Sequence, residues 1–173
     1  MQQLAELFNQ HPAFYIAAVA VISLVIGSFL NVVVYRLPLM MEQSWQQEYL
    51  EYFEPEKEHP QSPHFNLAVP RSRCPQCQHQ LGALDNIPLL SWLVLKGRCR
   101  YCQTAIPKRY PLVELFTALV SVVVALQTGA TSLGLLYLLV SWMLIALIFI
   151  DIDKMLLPDQ LTLPLLWLAL VAA

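Results

Sequence analysis

Charge is scarce in this chain, and long stretches have none. Of its 173 residues, 13% are charged and 57% are hydrophobic, and the mean hydropathy is +0.54. No lysine or arginine precedes Arg36, and none follows Lys154. The first absence favours a retained first helix over a secretory signal: the apolar run Phe14 to Val34 has no basic region before it, and no small-residue cleavage site closes it. Cysteine is absent outside the interval Cys74 to Cys102, which argues against four incidental placements. No Asp, Glu, Lys, Arg or His occurs in the 36 residues 115–150, a length sufficient for two membrane passes. Nothing has the character of a nucleic-acid surface, because the basic residues are interspersed with acids and lie beside apolar segments. These deficits describe a polytopic membrane protein rather than a soluble globule.

The expected fold class is therefore all-α, with about three transmembrane helices and the start of a fourth. The spans are Phe14 to Val34, about Pro111 to Leu126, and about Leu133 to Ile150. A fourth apolar segment runs from Leu161 to Ala173, 13 residues against the ~20 a bilayer requires. The chain is expected to stop inside a membrane helix, either as a piece of a longer protein or docked on another one. Three segments follow: 1–35 with the first span, the 36–110 loop, and 111–173 with the remaining spans. Nine of the ten Lys and Arg residues lie between Arg36 and Arg109, so the positive-inside rule places that loop in the cytoplasm. The third span then returns to the cytoplasmic face and delivers Asp151 and Asp153 there.

The loop has two parts. Met41 to Pro63 is acidic and aromatic and reads as a short surface helix followed by a proline-punctuated linker, with no chemistry assigned. The second part holds Cys74-Pro-Gln-Cys77 and Cys99-Arg-Tyr-Cys102, separated by 21 residues. Two C-x2-C knuckles at this separation can close a tetrahedral thiolate site for a structural zinc, as in zinc ribbons. Gly97 and Pro75 suit the turns, and a cytoplasmic location argues against disulfides. A dithiol redox site is the competing reading, but it commonly needs only one such pair. His79 and His64 are left out of the ligand set, since four thiolates suffice. Between the knuckles, Asp85 to Leu93 is apolar enough to pack on the module or lie at the lipid interface, and Trp92 fits either place.

Polar residues in the spans are few. Gly27 and Ser28 read as packing residues, Asn31 as packing or function, and Arg36 as an interfacial anchor. Glu114 stands one turn inside the second span, with pairing to Arg109, the helix N-terminus or a polar cavity as its options. Asp151 and Asp153 follow the long uncharged run, and Asp159 comes after Leu156-Leu157-Pro158. Two carboxylates that share a proton can activate water, because like charges raise one pKa. Side chains at i and i+2 of a helix do not face each other, so Asp151 and Asp153 are not a dyad by themselves.

Taken in order, the motifs resemble the type 4 prepilin peptidase family of bacterial inner membranes. They are Gly27-Ser-Phe-Leu-Asn31-Val with Arg36-Leu-Pro38, Arg71-Ser-Arg-Cys74-Pro-Gln-Cys77, Asn86-Ile-Pro-Leu-Leu-Ser-Trp-Leu93, Gly97-Arg-Cys99-Arg-Tyr-Cys102, Arg109-Tyr-Pro111 with Glu114-Leu115, and the Asp151 motif. The resemblance implies an intramembrane aspartyl endopeptidase that removes the basic leader of type 4 prepilins and pseudopilins at the cytoplasmic face of the inner membrane. It also implies N-methylation of the new N-terminus with S-adenosylmethionine, in service of type IV pilus biogenesis and type II secretion. One catalytic aspartate would be Asp151, with Asp153 as the alternative, and segment 111–173 would begin the protease domain. The second comes in the family from a G-x-G-D motif that this sequence lacks, so these 173 residues are expected not to cleave alone. The implied partners are prepilins, pseudopilins and membrane lipid. No glycine-rich S-adenosylmethionine motif is visible. Two other classes compete on residues alone: a zinc-stabilised membrane scaffold, in which the acids are structural, and a membrane thiol oxidoreductase.

Overall fold

Three helices in the computed structural model are long and apolar enough to cross a bilayer: α1 (Pro12–Phe53), α3 (Arg109–Thr128) and α4 (Ser132–Lys154). A five-residue helix, α2 (Leu90–Val94), lies in the loop, and α5 (Asp159–Ala172) closes the chain. The described residues are 8, 10–54, 65–82, 85 and 87–172. The linker 55–64, with His64, lies outside them, as does Asn86.

Helix α1 departs from expectation. The first span and the surface helix are one continuous element of 42 residues, about 63 Å at 1.5 Å per residue. A hydrocarbon core is only about 30 Å thick, so roughly half of α1 must project beyond it. Pro38 lies inside the helix and removes one backbone donor. The helix continues because Pro38 is fully buried, Leu37 and Met41 pack into the core, and the following residues are mostly good helix formers.

The other ends are set locally. Proline at the third position of α3 removes a donor that has no intrahelical partner anyway. Gly129, at φ +63°, turns the chain after α3, and Thr131 caps α4 by accepting a hydrogen bond from the Gly134 amide at 3.0 Å. Helix α4 runs past Ile150 to Lys154, so Asp151 and Asp153 lie in its last turn rather than after it. Met155 adopts a left-handed conformation at its C-cap, and its amide bonds back to the Asp151 carbonyl at 2.8 Å. Pro158 is then buried, and Asp159 occupies the first turn of α5, where a carboxylate favours the helix dipole.

Packing follows small residues. Ser23 and Gly27 on α1 face a stripe on α3 spaced by four: Val113, Thr117, Ser121 and Ala125, all buried. Lipid supplies no hydrophobic force between helices, so close approach and dispersion must hold them. Thr117 and Ser121 satisfy their hydroxyls on the carbonyls four residues back, and Trp142 of α4 donates to Ser121 Oγ at 2.9 Å. The main core joins Leu30, Val33, Val34 and Leu37 of α1 to Val113 of α3 and to Ile145, Ala146 and Ile150 of α4. At the other end, Tyr15 donates to the Gly129 carbonyl at 2.9 Å. Val25, Phe29, Leu119, Val123 and Ile148 stay exposed, as lipid-facing side chains do.

A Cβ on Gly27 would stand 2.7 Å from the Glu114 Cα and 3.2 Å from Thr117. Gly27→Ala must therefore spread α1 from α3. The expected loss is about 1–3 kcal/mol of stability, read by reversible unfolding in detergent micelles. Unchanged stability would contradict the crossing described here.

Candidate functional site

Among the described residues, Asn31, Glu42, Arg109, Glu114, Asp153 and Lys154 gather at one end of the bundle. Antiparallel packing brings the middle of α1, the start of α3 and the end of α4 to the same level. Three polar contacts fasten them. Asn31 donates to the Tyr110 carbonyl at 3.1 Å, Arg109 pairs with Asp153 at 2.5 Å, and Lys154 pairs with Glu42 at 2.9 Å. The four-cysteine module joins this end directly through the chain leading into α3.

The module is built twice. At an offset of 25 residues, each half forms one antiparallel bridge, Arg73 with Gln80 and Arg98 with Ala105. Each half closes with the same bonds: Cys74 N to His79 O and Gln78 N to Cys74 O, then Cys99 N to Thr104 O and Gln103 N to Cys99 O. Gln78 and Gln103 share a left-handed backbone, and each amide side chain reaches back within its own knuckle, to Pro75 and Arg100. These are single-residue bridges rather than a ribbon, and there is no longer strand among the described residues.

The duplication points four sulfurs inward. The Sγ atoms of Cys74, Cys77, Cys99 and Cys102 lie within 4.8 Å of one another, with Cys74 and Cys102 at 3.7 Å. A tetrahedron with metal–sulfur bonds of about 2.3 Å has edges of about 3.8 Å, so the donor set fits a four-coordinate metal. The cluster is asymmetric in charge. The Thr104 hydroxyl and amide draw Cys102 down to about 6. The His79 amide also lowers Cys77, but lost hydration and the neighbouring thiols outweigh it and push that thiol up to about 11. Four thiolates this close repel, and a bound dication would remove that conflict. His79 instead stacks on Tyr101 of the other knuckle, with ring centroids 3.5 Å apart. Gly97, at φ +68°, lets the chain pass under the Trp92 ring, where a Cβ would come within 2.9 Å. Trp92 thus packs on the module, and its indole donates to the Ile106 carbonyl at 3.4 Å.

Glu114 does not pair with Arg109. Its carboxylate accepts the Leu89 amide at 2.8 Å, at the residue preceding α2, and so fastens the module to the first turns of α3. Arg109 turns the other way, to Asp153, with its guanidinium 5.6 Å from the Phe149 ring centroid. Arg36 is no interfacial anchor. It is buried and donates to the carbonyls of Asn66, Leu67 and Pro70, clamping the start of the module onto α1. A span-end arginine reads as a lipid anchor unless a loop returns to cover it, and no motif signals that return. The Arg109–Asp153 pair was more legible: opposite charges at the facing ends of adjacent antiparallel spans.

The two acids of α4 end in different surroundings. Two residues are about 200° of helix, so they point to nearly opposite faces. Asp153 faces α3 and is held by Arg109. Asp151 is exposed, and no hydrogen bond or ion pair engages its carboxylate among the described residues.

Residues 21–128 match the bacterial peptidase A24 N-terminal domain, and residues 138–173 match the type IV leader peptidase family. The chain is 59% identical over 167 residues to a prepilin leader peptidase/N-methyltransferase of Aeromonas hydrophila, covering 96% of this chain and 58% of the relative. Proteins of the same name from Pseudomonas aeruginosa and Legionella pneumophila are 48% and 44% identical, over 98% and 96% of this chain and 58% of each relative. The chain thus spans a little over half the length of these relatives. No solved structure matches it.

Glu114→Ala leaves the Leu89 amide without its acceptor. The expected cost is about 1–3 kcal/mol. It should be read as faster hydrogen exchange at Leu89 and earlier proteolysis within 87–95, with the α3–α4 contact unchanged. Unaltered exchange at Leu89 would show that Glu114 does not hold the module.

Proposed function

This chain belongs to the bacterial A24 peptidases, whose N-terminal domain it matches over residues 21–128, and from that premise we propose that it forms part of an intramembrane aspartyl endopeptidase. The enzyme cleaves the leader from type 4 prepilins and pseudopilins at the cytoplasmic face of the inner membrane and methylates the new N-terminus. Its pathways are type IV pilus biogenesis and type II secretion. The membrane placement is supported by three spanning-length helices and by the basic loop, which the positive-inside rule assigns to the cytoplasm.

The observation that carries the reading is the unequal state of the two acids. A catalytic carboxylate must be free to exchange a proton, and the Asp151 carboxylate is exposed and has no ion-pair partner among the described residues. Asp153 sits in an ion pair with Arg109, which occupies both of its carboxylate oxygens. We assign Asp151 as one member of the catalytic dyad and Asp153 as a positioning residue. A second aspartate would share a proton with Asp151. The ionised member takes a proton from water as the water oxygen attacks the scissile carbonyl. The protonated member donates to the carbonyl oxygen, and the nitrogen leaves with a proton. The sequence contains no G-x-G-D motif to supply the second acid, so residues 1–173 are proposed not to cleave alone.

Cys74, Cys77, Cys99 and Cys102 would hold a zinc ion, which would fix the two knuckles to each other and has no part in hydrolysis. S-adenosylmethionine would supply an electrophilic methyl group for the amine. No residue is assigned to it: the hollow lined by Glu42, Trp45, Gln46, Tyr49 and Leu50 lies open along one flank of α1.

In the full-length protein, Asp151→Asn should lower leader cleavage about 10²–10⁴-fold, the worth of a positioned acid–base group. Asp153→Asn removes an exposed ion pair worth about 0.2–1 kcal/mol, so its loss should stay below about tenfold. The reverse ranking would assign the chemistry to Asp153. Metal analysis of the purified protein should find one zinc per chain, lost in Cys99→Ser and released as pH falls and the thiolates protonate. Thiols that cycle to disulfides without metal would favour the oxidoreductase.

A further inference from the structure

Helix α2 is too short to be stable in isolation, and its two faces differ. Ser91 and Trp92 turn inward, with Trp92 against Gly97. Leu90, Leu93 and Val94 fall at i, i+3 and i+4, on one face, and are 58%, 63% and 71% exposed. Water is a costly neighbour for three large aliphatic side chains on one face.

The height of this face relative to a membrane follows from the length of α3 and the hold of Glu114 on Leu89. Helix α3 has 20 residues, about 30 Å, so it spans a hydrocarbon core of about 30 Å with nothing to spare. Glu114 lies five residues inside it, about 7–8 Å along the axis. Its carboxylate holds the Leu89 amide, and α2 begins at the next residue. If α3 spans the core, the exposed leucines and valine come to the depth where interfacial helices rest, about 5–10 Å into the headgroup and acyl boundary. Charge agrees with that depth. Lys96 and Arg98 follow within four residues of the helix, are exposed, and have no acidic partner among the described residues. The described part of the module, from Phe65 to Lys108, holds one acid, Asp85, and that acid is paired with Arg100 at 2.9 Å.

We propose that the face Leu90–Leu93–Val94 is a second membrane contact, inserted sideways into the leaflet that α1 and α3 cross, with Lys96 and Arg98 binding anionic lipid headgroups. The four-cysteine module is then held against the bilayer as well as against α3. Nothing in this requires the peptidase reading, only that α3 spans the membrane.

The test places a benzoylphenylalanine photocrosslinker at Leu93, and separately at Val94, in the whole chain. The chain is reconstituted in vesicles of equal parts phosphatidylglycerol and phosphatidylcholine. A third variant carries the crosslinker at Tyr52, far along the projecting part of α1. Positions 93 and 94 should give lipid adducts and position 52 none. A basic residue near an anionic surface is worth about 1 kcal/mol, so phosphatidylglycerol adducts should exceed phosphatidylcholine adducts about fivefold. Lys96→Gln with Arg98→Gln should bring that ratio to about one. Crosslinks from both positions to protein or to no lipid would overturn the insertion and indicate a protein-covered face. A ratio unmoved by the double substitution would overturn the headgroup contact.

Discussion

The approach of α1 to α3 at Gly27 is the constraint on which the rest of the structure depends. With no side chain there, the α1 backbone comes against the Glu114 backbone, closer than any Cβ allows. One turn further along α1, Asn31 can then reach the Tyr110 carbonyl. That pairing fixes the rotation and height of the first turns of α3. From there Glu114 points to the module and Arg109 points to α4. Two functional groups on neighbouring turns of α3 thus serve different neighbours, and both are placed by the same small-residue contact. Ser23 and the Thr117–Ser121–Ala125 stripe extend it along the span, as expected where dispersion rather than the hydrophobic effect holds helices together.

The polar end is organised by removing charges from play. Arg36 is spent on backbone carbonyls, Arg109 on Asp153, Lys154 on Glu42 and Arg100 on Asp85. Asp151 stands outside this set on the opposite face of its helix. An acid at a helix C-terminus is disfavoured by the macrodipole, so its place there has no stabilising explanation. That makes its carboxylate, unpaired among the described residues, the more informative of the two.

The spans and the gathering of the four thiols were legible because they rest on local signals: runs of apolar residues and paired knuckle spacing. Boundaries erred where tertiary packing overrode a local signal. Pro38 looks like punctuation, yet the helix runs through it because Leu37, Pro38 and Met41 are packed. Arg36 resembles a lipid anchor until the loop at 66–70 folds over it. Glu114 and Arg109 are close in sequence and opposite in charge, yet each finds a better partner on another element. The doubled module was also within reach, since Cys74, Cys77 and Gln78 recur as Cys99, Cys102 and Gln103 at a constant offset. Only the backbone bonds reveal that the repeat is structural.

The central claim is that Asp153 acts through its partner, whereas Asp151 acts directly. Exchanging the charges of the pair, with Arg109→Asp and Asp153→Arg in one full-length protein, separates the two roles. Leader cleavage by the exchanged protein should recover most of what either single substitution loses, because an ion pair of reversed polarity still fastens α3 to α4. An exchanged protein as inactive as Asp151→Asn would contradict the account and make the Asp153 carboxylate itself the reacting group.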